Sequence, residues 1–368
     1  MIHLAMKNRQ KTKVVMVSLF SGMDLFLLGF ILAGAKAGYL VEFNKYAARM
    51  LELNFKGPDG KTLNRWVSVT SEDMAPLLIK LKNPKEEKKR KKLLRNHYIL
   101  NEDGSATRPE SIQDVDGRKI RMECERLFGK NIRIILIGGP PCKDFTKLHV
   151  HNDGERNKLI WEYLRILQEL KPDVAVMEEV SDVLNKKHFP LYTQFLTEVF
   201  KTGYQVAYQP MNALHYDGCQ SRARCIGVFV NNGLNKKPVF PEPRPESAMR
   251  IGEALDVDYL YSGHFNDTIK TKLDFAGTVT TGSPLWVKKG DVKRPPSNEE
   301  RLILQGLPAE LEYLFPEGTP QDQIRLAIGN AVPVNLAFWI AKTIMEEIFE
   351  VQVEYEYAPV TIKSKEKS

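Results

Sequence analysis

A cysteine and two carboxylates follow short apolar segments of this 368-residue chain, and two arginines precede another. Cys142 ends the sequence IRIILIGGPPC, in which β-branched residues predict a buried strand that runs into a Gly-Gly-Pro-Pro turn. The prolines restrict the turn before any ligand binds, and the neighbouring Lys143 favours the thiolate by lowering the cysteine pKa. The pattern predicts a reactive cysteine at the carboxyl end of a strand, and the alternative is a cysteine that only packs in a loop.

The carboxylates are Glu178 and Glu179, which end the apolar segment PDVAVMEEV, and the arginines are Arg222 and Arg224 of QSRAR. Buried strands seldom end in adjacent acids that have no use. An arginine fixes the direction of its hydrogen bonds as well as supplying a positive charge, because its guanidinium is planar. An acid on one side of a substrate and a cation on the other can stabilise charge that develops during a reaction.

A strand, a turn and a helix open the chain and are expected to position a ligand. The run KVVMVSLF (13–20) predicts a strand, SGMD predicts a turn, and LFLLGFILAGAKAG predicts a buried helix that closes at Gly38. Gly22 permits close backbone approach to a nucleotide, although an ordinary β-α turn is the alternative. A second strand is expected to end at Glu42, where a carboxylate could accept hydrogen bonds from a ribose, or could simply be exposed. An amphipathic helix should begin near Asn44.

Five ordered blocks give the chain a resemblance to the cytosine-5 DNA methyltransferases. They are FSG at 20–22, GGPPC ending at Cys142, MEEV at 177–180, QSRAR at 220–224 and GNAVP at 329–333. The resemblance covers about 12–75 and 131–345. It implies an α/β fold, a Rossmann-like S-adenosylmethionine-dependent methyltransferase sheet with a smaller target-recognition domain, and the activity of a DNA (cytosine-5)-methyltransferase.

The resemblance also implies a binding site for S-adenosyl-L-methionine. Glu42 matches the family's ribose-binding acid, Phe43 the aromatic residue that packs on adenine, and Asp73 the acid that receives the adenine amino group. Asn330 and Val332 match positions at the methionine end of the pocket. The full set of expected cofactor-binding residues is Phe20, Ser21, Gly22, Met23, Glu42, Phe43, Asp73, Met74, Pro141, Asn330 and Val332.

In the resembled family the cysteine thiolate adds to C6 of cytosine, and C5 of the resulting enamine attacks an electrophilic methyl group. Cys142 matches this nucleophile, Glu178 the acid at N3 and Arg224 the cation at O2. Arg222, with Gln220, is expected to brace the site or to bind phosphate. A base inside a duplex cannot reach these groups, so it must rotate out of the stack, with the loop 147–157 closing over it. His149 and His151 in this loop are expected to be exposed, and the alternative is that they contact phosphate.

The sequence departs from the family pattern at the two blocks that carry the chemistry. Asp24 and Leu25 occupy positions where the family usually has two more glycines, and Glu179 replaces the usual asparagine. Lys143 also stands where glutamine is usual. We expect an ion pair between Lys143 and Glu179 to replace the missing contact, since the two departures have opposite charges.

The chain is long enough for a catalytic core and a smaller lobe. We expect a catalytic domain at 1–232 with an insertion at about 76–130, a target-recognition domain at 233–320, a return to the catalytic domain at 321–350 and a tail at 351–368. A segment resembling the third strand of the sheet, WVSV, precedes the insertion. The insertion carries KEEKKRKKLLR, which predicts either a solvated helix face or a phosphate-contacting surface.

The composition favours a polyanionic partner and an intracellular protein. A net charge of +7 and a pI near 9.0 favour double-stranded DNA. The four cysteines lack zinc spacing, so no metal is expected, and no apolar run is long enough to predict a membrane span. We expect a cytoplasmic monomer, in keeping with a restriction-modification enzyme. The alternatives are a tRNA cytosine-5 methyltransferase, suggested by Phe145 and Thr146, and a catalytically impaired DNA-binding homologue.

Overall fold

The computed structural model describes residues 13–141, 158–186, 188–262, 268–282 and 285–359. Strands and helices alternate along most of this chain. The strands are β1 (Lys13–Leu19), β2 (Lys36–Val41), β3 (Trp66–Val69), β4 (Ile99–Leu100), β5 (Ala106–Pro109), β6 (Ile132–Gly138), β7 (Val174–Val180), β8 (Tyr204–Asn212), β9 (Ala223–Asn231), β10 (Tyr259–Ser262), β11 (Thr268–Thr271), β12 (Leu285–Lys289) and β13 (Val292–Arg294). The helices are α1 (Leu25–Leu32), α2 (Lys45–Asn54), α3 (Ser71–Leu78), α4 (Pro84–His97), α5 (Gly117–Phe128), α6 (Lys158–Leu170), α7 (Phe189–Lys201), α8 (Ile251–Ala254), α9 (Asn298–Leu304), α10 (Gln321–Asn330) and α11 (Val334–Thr343).

A six-stranded sheet in the order β2-β1-β6-β7-β9-β8 forms the centre of the molecule. Strands β2, β1, β6 and β7 are parallel, whereas β9 is antiparallel to β7 and to β8. The chain leaves β1 toward β2 on one side and later places β6 on the other side. The carboxyl ends of β1 and β6 therefore adjoin, with Leu19 opposite Gly138. Open α/β sheets bind ligands at such a switch point.

Both faces of this sheet are covered, which explains why its strands are continuously apolar. Successive residues of β6 alternate between two hydrophobic cores, since Ile135 and Ile137 face the core that contains α1 and α11. Ile134 and Leu136 face the core that contains α6 and α7. The predicted α/β fold with a Rossmann-like central sheet is confirmed.

The first helix is shorter than predicted. It ends at Leu32 instead of closing at Gly38, and Gly38 lies within β2. The N–H groups of Gly34 and Ala35 bond to the carbonyls of Ile31 and Phe30, and these bonds close the helix before the predicted end. The predicted start of the next helix is confirmed, because Asn44 is the N-cap of α2.

The WVSV segment, which resembles the third strand of the family's sheet, does form strand β3, but β3 lies outside the central sheet. It pairs antiparallel with β5, and β5 with β4, so the insertion supplies the hydrogen-bonding partners. The last helix of the expected insertion, α5, belongs to the layer that covers the sheet, since Cys124 of α5 is fully buried in the core beside Ile134 and Leu136. The part that adds a separate layer is therefore 79–116.

A second, antiparallel sheet in the order β11-β10-β12-β13 lies within the expected target-recognition region. The helix that follows it, α9, begins with a cap in which the Ser297 Oγ accepts a hydrogen bond from the Glu300 N–H at 3.0 Å. The chain then returns through Gln321–Ile348, a stretch long and apolar enough to cross a membrane, and its most apolar window is 78% buried inside the protein. This burial is typical of core helices.

Candidate functional site

The turn after β1 forms a backbone cradle at the switch point of the sheet. The Ser21 N–H bonds to the Val41 carbonyl at 3.1 Å, so the turn is tied to the end of β2. Gly22 has a φ of +56°, and a side chain built there would meet no atom within 4 Å. The open space beside Gly22 leaves its backbone accessible to a ligand.

Glu42, predicted to bind ribose, lies directly against this turn. Its Oε2 accepts a hydrogen bond from the Gly22 N–H at 2.6 Å, and its Oε1 accepts one from the Asn44 N–H at 2.6 Å. Burial raises the pKa of this carboxyl group. Each oxygen keeps a lone pair for another donor, so the residues present fit a ribose diol.

Asp24 takes the place of a family glycine at a left-handed backbone position, with φ 55° and ψ 46°. Aspartate tolerates this conformation better than most residues, and its Oδ1 caps α1 by accepting from the Leu27 N–H at 3.0 Å. The side chain is 3% exposed, and burial raises its pKa to about 7. The departure therefore supplies a helix cap and adds a buried titratable group.

Phe43, predicted to pack on adenine, is contacted by the inserted segment. The His97 ring stacks on it with a centroid separation of 4.2 Å, and the His97 Nδ1 lies 2.8 Å from the Phe43 carbonyl oxygen. The Arg108 guanidinium lies 5.5 Å from the centre of the same ring. The inserted segment thus forms part of the wall of the expected cofactor site, which the sequence did not indicate.

The remaining predicted cofactor residues lie in varied surroundings. Asp73 is exposed on α3, and Thr70 Oγ1 donates a hydrogen bond to its carboxylate at 2.7 Å. Since Thr70 is the N-cap of α3, this bond belongs to the cap of the helix. Asn330 and Pro141 are exposed, whereas Val332 is 7% exposed. Met23 and Met74 are buried, and the Oγ of Ser21 donates to the Ser18 carbonyl. Phe20, with φ 55°, is half-buried.

Glu178 and Arg224, predicted as the acid and the cation, are in direct contact. The Arg224 Nε lies 2.5 Å from Glu178 Oε1, and the two side chains are 14% and 13% exposed. Strands β7 and β9 place them there, since Val180 pairs with Arg224 and the pleat brings Glu178 to the same face. A Cβ at Gly139 would lie 2.9 Å from Glu178 Oε2, so the Gly-Gly turn approaches this carboxylate closely.

Cys142 itself lies outside the described residues, as do Lys143, His149, His151 and the loop 147–157. The expected ion pair between Lys143 and Glu179 therefore stays a prediction. Glu179 is 2% exposed and lies on the face of β7 opposite to Glu178, near Cys225 and Tyr192. The second acid of MEEV thus belongs to the core and not to the exposed edge.

The other three cysteines are buried within the described part of the chain. Burial raises the pKa of the Cys124 and Cys219 thiols to about 12 and that of Cys225 to about 11. These thiols remain protonated at neutral pH and are poor nucleophiles. Their environment contrasts with the strand-end position predicted for Cys142.

Arg222 and Gln220 connect strand β9 to distant parts of the chain. The two terminal nitrogens of Arg222 donate to the carbonyls of Val279 and Gly329 at 2.8 and 2.9 Å. Gln220 donates to the Leu304 carbonyl and accepts from the Val279 N–H. Arg222 is 2% exposed, and burial lowers its pKa to about 9. These contacts favour the bracing role over phosphate binding.

Asn335 is a bracing residue that the sequence analysis missed. Its Nδ2 donates to the Ala213 and Tyr216 carbonyls at 2.8 and 2.7 Å, from a side chain that is 1% exposed. It follows GNAVP by two positions, which is the one local signal that could have marked it.

Comparison with known proteins places the chain in a family. The model of the C-5 cytosine-specific DNA methylases matches residues 98–276. The type II methyltransferase M.FnuDI of Fusobacterium nucleatum is 33% identical over 287 residues, covering 61% of this chain and 82% of that protein. M.XorII of Xanthomonas oryzae pv. oryzae is 34% identical over 176 residues, covering 45% of this chain and 40% of that protein.

The fold is shared with the Dnmt2 methyltransferase of S. pombe, with a TM-score of 0.56 at 15% identity, over 91% of this chain and 99% of that one. The central sheet, covered by helices on both faces, is the fold of an S-adenosylmethionine-dependent α/β methyltransferase. The chain belongs to the C-5 cytosine-specific DNA methylase family. Members of this family take the methyl group from S-adenosylmethionine.

Proposed function

We propose that the protein methylates C5 of cytosine in double-stranded DNA, through a transient bond between the Cys142 sulfur and C6 of a base rotated out of the duplex. The observation that carries this proposal is the contact between Glu178 and Arg224, 2.5 Å apart at the carboxyl edge of the sheet and next to the turn that leads to Cys142. Family membership and the net charge of +7 support it.

The residues of this edge would act on the pyrimidine ring in sequence. The Cys142 thiolate attacks C6, and the electron pair of the C5–C6 double bond moves toward N3 and O2. Once the ring has separated it from Arg224, Glu178 carries a proton taken from solvent and shares it with N3, and the Arg224 guanidinium stabilises the charge at O2. After C5 has gained the methyl group, water accepts the remaining C5 proton, the electrons of that C–H bond re-form the C5–C6 double bond, and the sulfur leaves C6 as the thiolate.

The cofactor residues would bind and orient S-adenosylmethionine, which supplies an electrophilic methyl group to C5. Glu42 would accept hydrogen bonds from the ribose, because both its oxygens lie beside the open turn at Gly22. Phe43, held by His97, would limit the space for adenine. Asp73, Met74, Pro141, Asn330 and Val332 keep the roles implied by the family.

The Glu178–Arg224 contact has a consequence for substrate binding. Each charge stabilises the other, so a pyrimidine must separate them and replace their contact by its own N3 and O2. A ring that carries both N3 and O2 can replace both halves of the ion pair, so it would bind better than a ring with a single acceptor. We propose further that the protein acts as a monomer in the cytoplasm, as a modification enzyme like its type II relatives by name.

Transfer of a labelled methyl group tests the proposal. The full chain is incubated with methyl-labelled S-adenosylmethionine and either unmethylated double-stranded DNA or tRNA, and the label in each polymer is counted. We expect label in DNA, at C5 of cytosine after digestion to nucleosides. Label in tRNA alone would show that the substrate is tRNA and not DNA. Label in neither polymer would support the alternative of a catalytically impaired DNA-binding homologue.

A further inference from the structure

A cavity of about 420 Å³ lies between α9 and α10, away from the Glu178–Arg224 pair along the chain. Its polar lining consists of Ser297, Asn298, Arg301, Gln321 and Arg325. Two of these side chains are cationic, three are neutral and none is acidic. The cavity therefore suits an anion and is unsuitable for a cation.

Arg301 is the buried member of this set, with 5% of its surface exposed. Within the described part of the chain, its guanidinium has neither a hydrogen-bond partner nor an ion-pair partner. The nearest acid in sequence, Glu300, is occupied, because both its oxygens bind Arg294, at 2.7 and 2.8 Å. A buried cation that lacks a counterion costs free energy, and an anion in the cavity would offset that cost.

Arg325 adds a second positive charge at the exposed side of the cavity. The two arginines are close enough to affect each other, since Arg325 contributes, after burial, to a lowered pKa of Arg301. Two like charges held close together repel each other, and an anion between them would offset that repulsion. Guanidinium groups match phosphate oxygens in geometry, and they can bind two oxygens at once.

We propose that this cavity binds a phosphate group through Arg301 and Arg325. The phosphate that fits the proposed function is a backbone phosphate of the DNA substrate, and this choice rests on that proposed function. A free phosphorylated ligand is the other possible source of the same phosphate group. In DNA binding such a contact would set position on the duplex without reading sequence.

The salt dependence of DNA binding tests the first source. The affinity of the full chain for a duplex is measured at several NaCl concentrations for the wild type, Arg325→Gln, Arg301→Gln and the control Arg118→Gln, which removes an exposed charge from α5. Losing one phosphate contact reduces the slope of log K against log salt by about 0.9. We expect this reduction for both cavity variants and a smaller change for the control.

Thermal unfolding with inorganic phosphate or a nucleoside monophosphate tests the second source. If the DNA slopes are unchanged, a phosphate-dependent rise of Tm in the wild type that both cavity variants lose supports a site for a free ligand. Arg325→Gln alters an exposed residue, so it remains informative if Arg301→Gln fails to fold. Unchanged slopes together with no phosphate-dependent Tm overturn the proposal.

Methyl transfer by the wild type separates this proposal from the proposed function. If label enters DNA while the salt slopes are unchanged and phosphate does not raise Tm, the phosphate site is excluded and the proposed methyl transfer is supported. Absence of label with a phosphate-dependent Tm that the variants lose removes the proposed activity and supports the site.

Discussion

At the scale of single residues, the site depends on two opposite charges that adjacent strands place on one face of the sheet. Glu178 and Arg224 could be named from the sequence because each lies in a short block of the family. Their direct contact follows from the register of β7 against β9, which no local pattern specifies. The same register buries Glu179 on the opposite face, so two adjacent acids have different environments.

Replacing Glu178 by glutamine should reduce methyl transfer about 10²- to 10³-fold, because an amide cannot hold the acidic proton at N3. The rate of label transfer to DNA measures this effect, with Glu198→Gln on the exposed side of α7 as the matched control. Affinity for S-adenosylmethionine should remain unchanged in both variants. A Glu178→Gln enzyme with wild-type turnover would contradict the role given to this acid.

At the scale of elements, the turn between β1 and α1 combines a ligand cradle with a helix cap. The strand, the turn and Gly22 were predicted, since apolar runs and glycine give strong local signals. The end of α1 was wrongly predicted because AGAKAG fits a helix by composition, whereas the carboxyl-terminal hydrogen bonds stop it at Leu32. The conformation of Asp24 depends on the same turn.

Stability should depend on pH through Asp24. Its pKa rises from 3.8 to about 7 on folding, so the folded state binds the proton more tightly and stability decreases as pH rises between these values. Above about pH 7 the loss is complete and constant. Asp24→Asn keeps a capping oxygen and removes this loss, so its Tm should exceed that of the wild type at pH 8 and approach it near pH 4.

Tm measured across this pH range checks the prediction, and Asp116→Asn serves as the control. Asp116 also caps a helix, but its hydrogen bonds to the N–H groups of Arg118 and Lys119 lower its pKa. Its ionised form is therefore stabilising above its unfolded pKa, and the amide should bring no gain at pH 8. Parallel pH profiles for Asp24→Asn and the wild type would contradict the assignment.

At the scale of the whole molecule, buried polar side chains join segments that are far apart in the chain. Arg222 links β9 to Val279 and Gly329, and Asn335 links α11 to Ala213 and Tyr216. The contact of His97 with Phe43 joins positions 54 residues apart. The sequence shows the QSRAR and GNAVP blocks, but it does not indicate most of these contacts. Contacts between distant segments leave no periodic pattern or motif in the sequence.

Arg222→Lys should destabilise the protein by about 1–3 kcal/mol, since one ammonium cannot reach both carbonyls and leaves a buried acceptor unsatisfied. Urea denaturation measures the loss as a lower midpoint. The control Arg118→Lys, on the surface of α5, should stay within about 0.5 kcal/mol of the wild type. Equal stability of Arg222→Lys and the wild type would show that Arg222 does not hold the segments together.

A bond between the Cys142 sulfur and the pyrimidine can be detected by trapping on a duplex that carries 5-fluorocytosine. Fluorine at C5 prevents loss of that substituent, so the covalent intermediate should accumulate as a complex that survives denaturing electrophoresis. We expect this complex for the native protein with S-adenosylmethionine and neither complex nor turnover for Cys142→Ser. A Cys142→Ser protein that still methylates DNA at the native rate would exclude the covalent step.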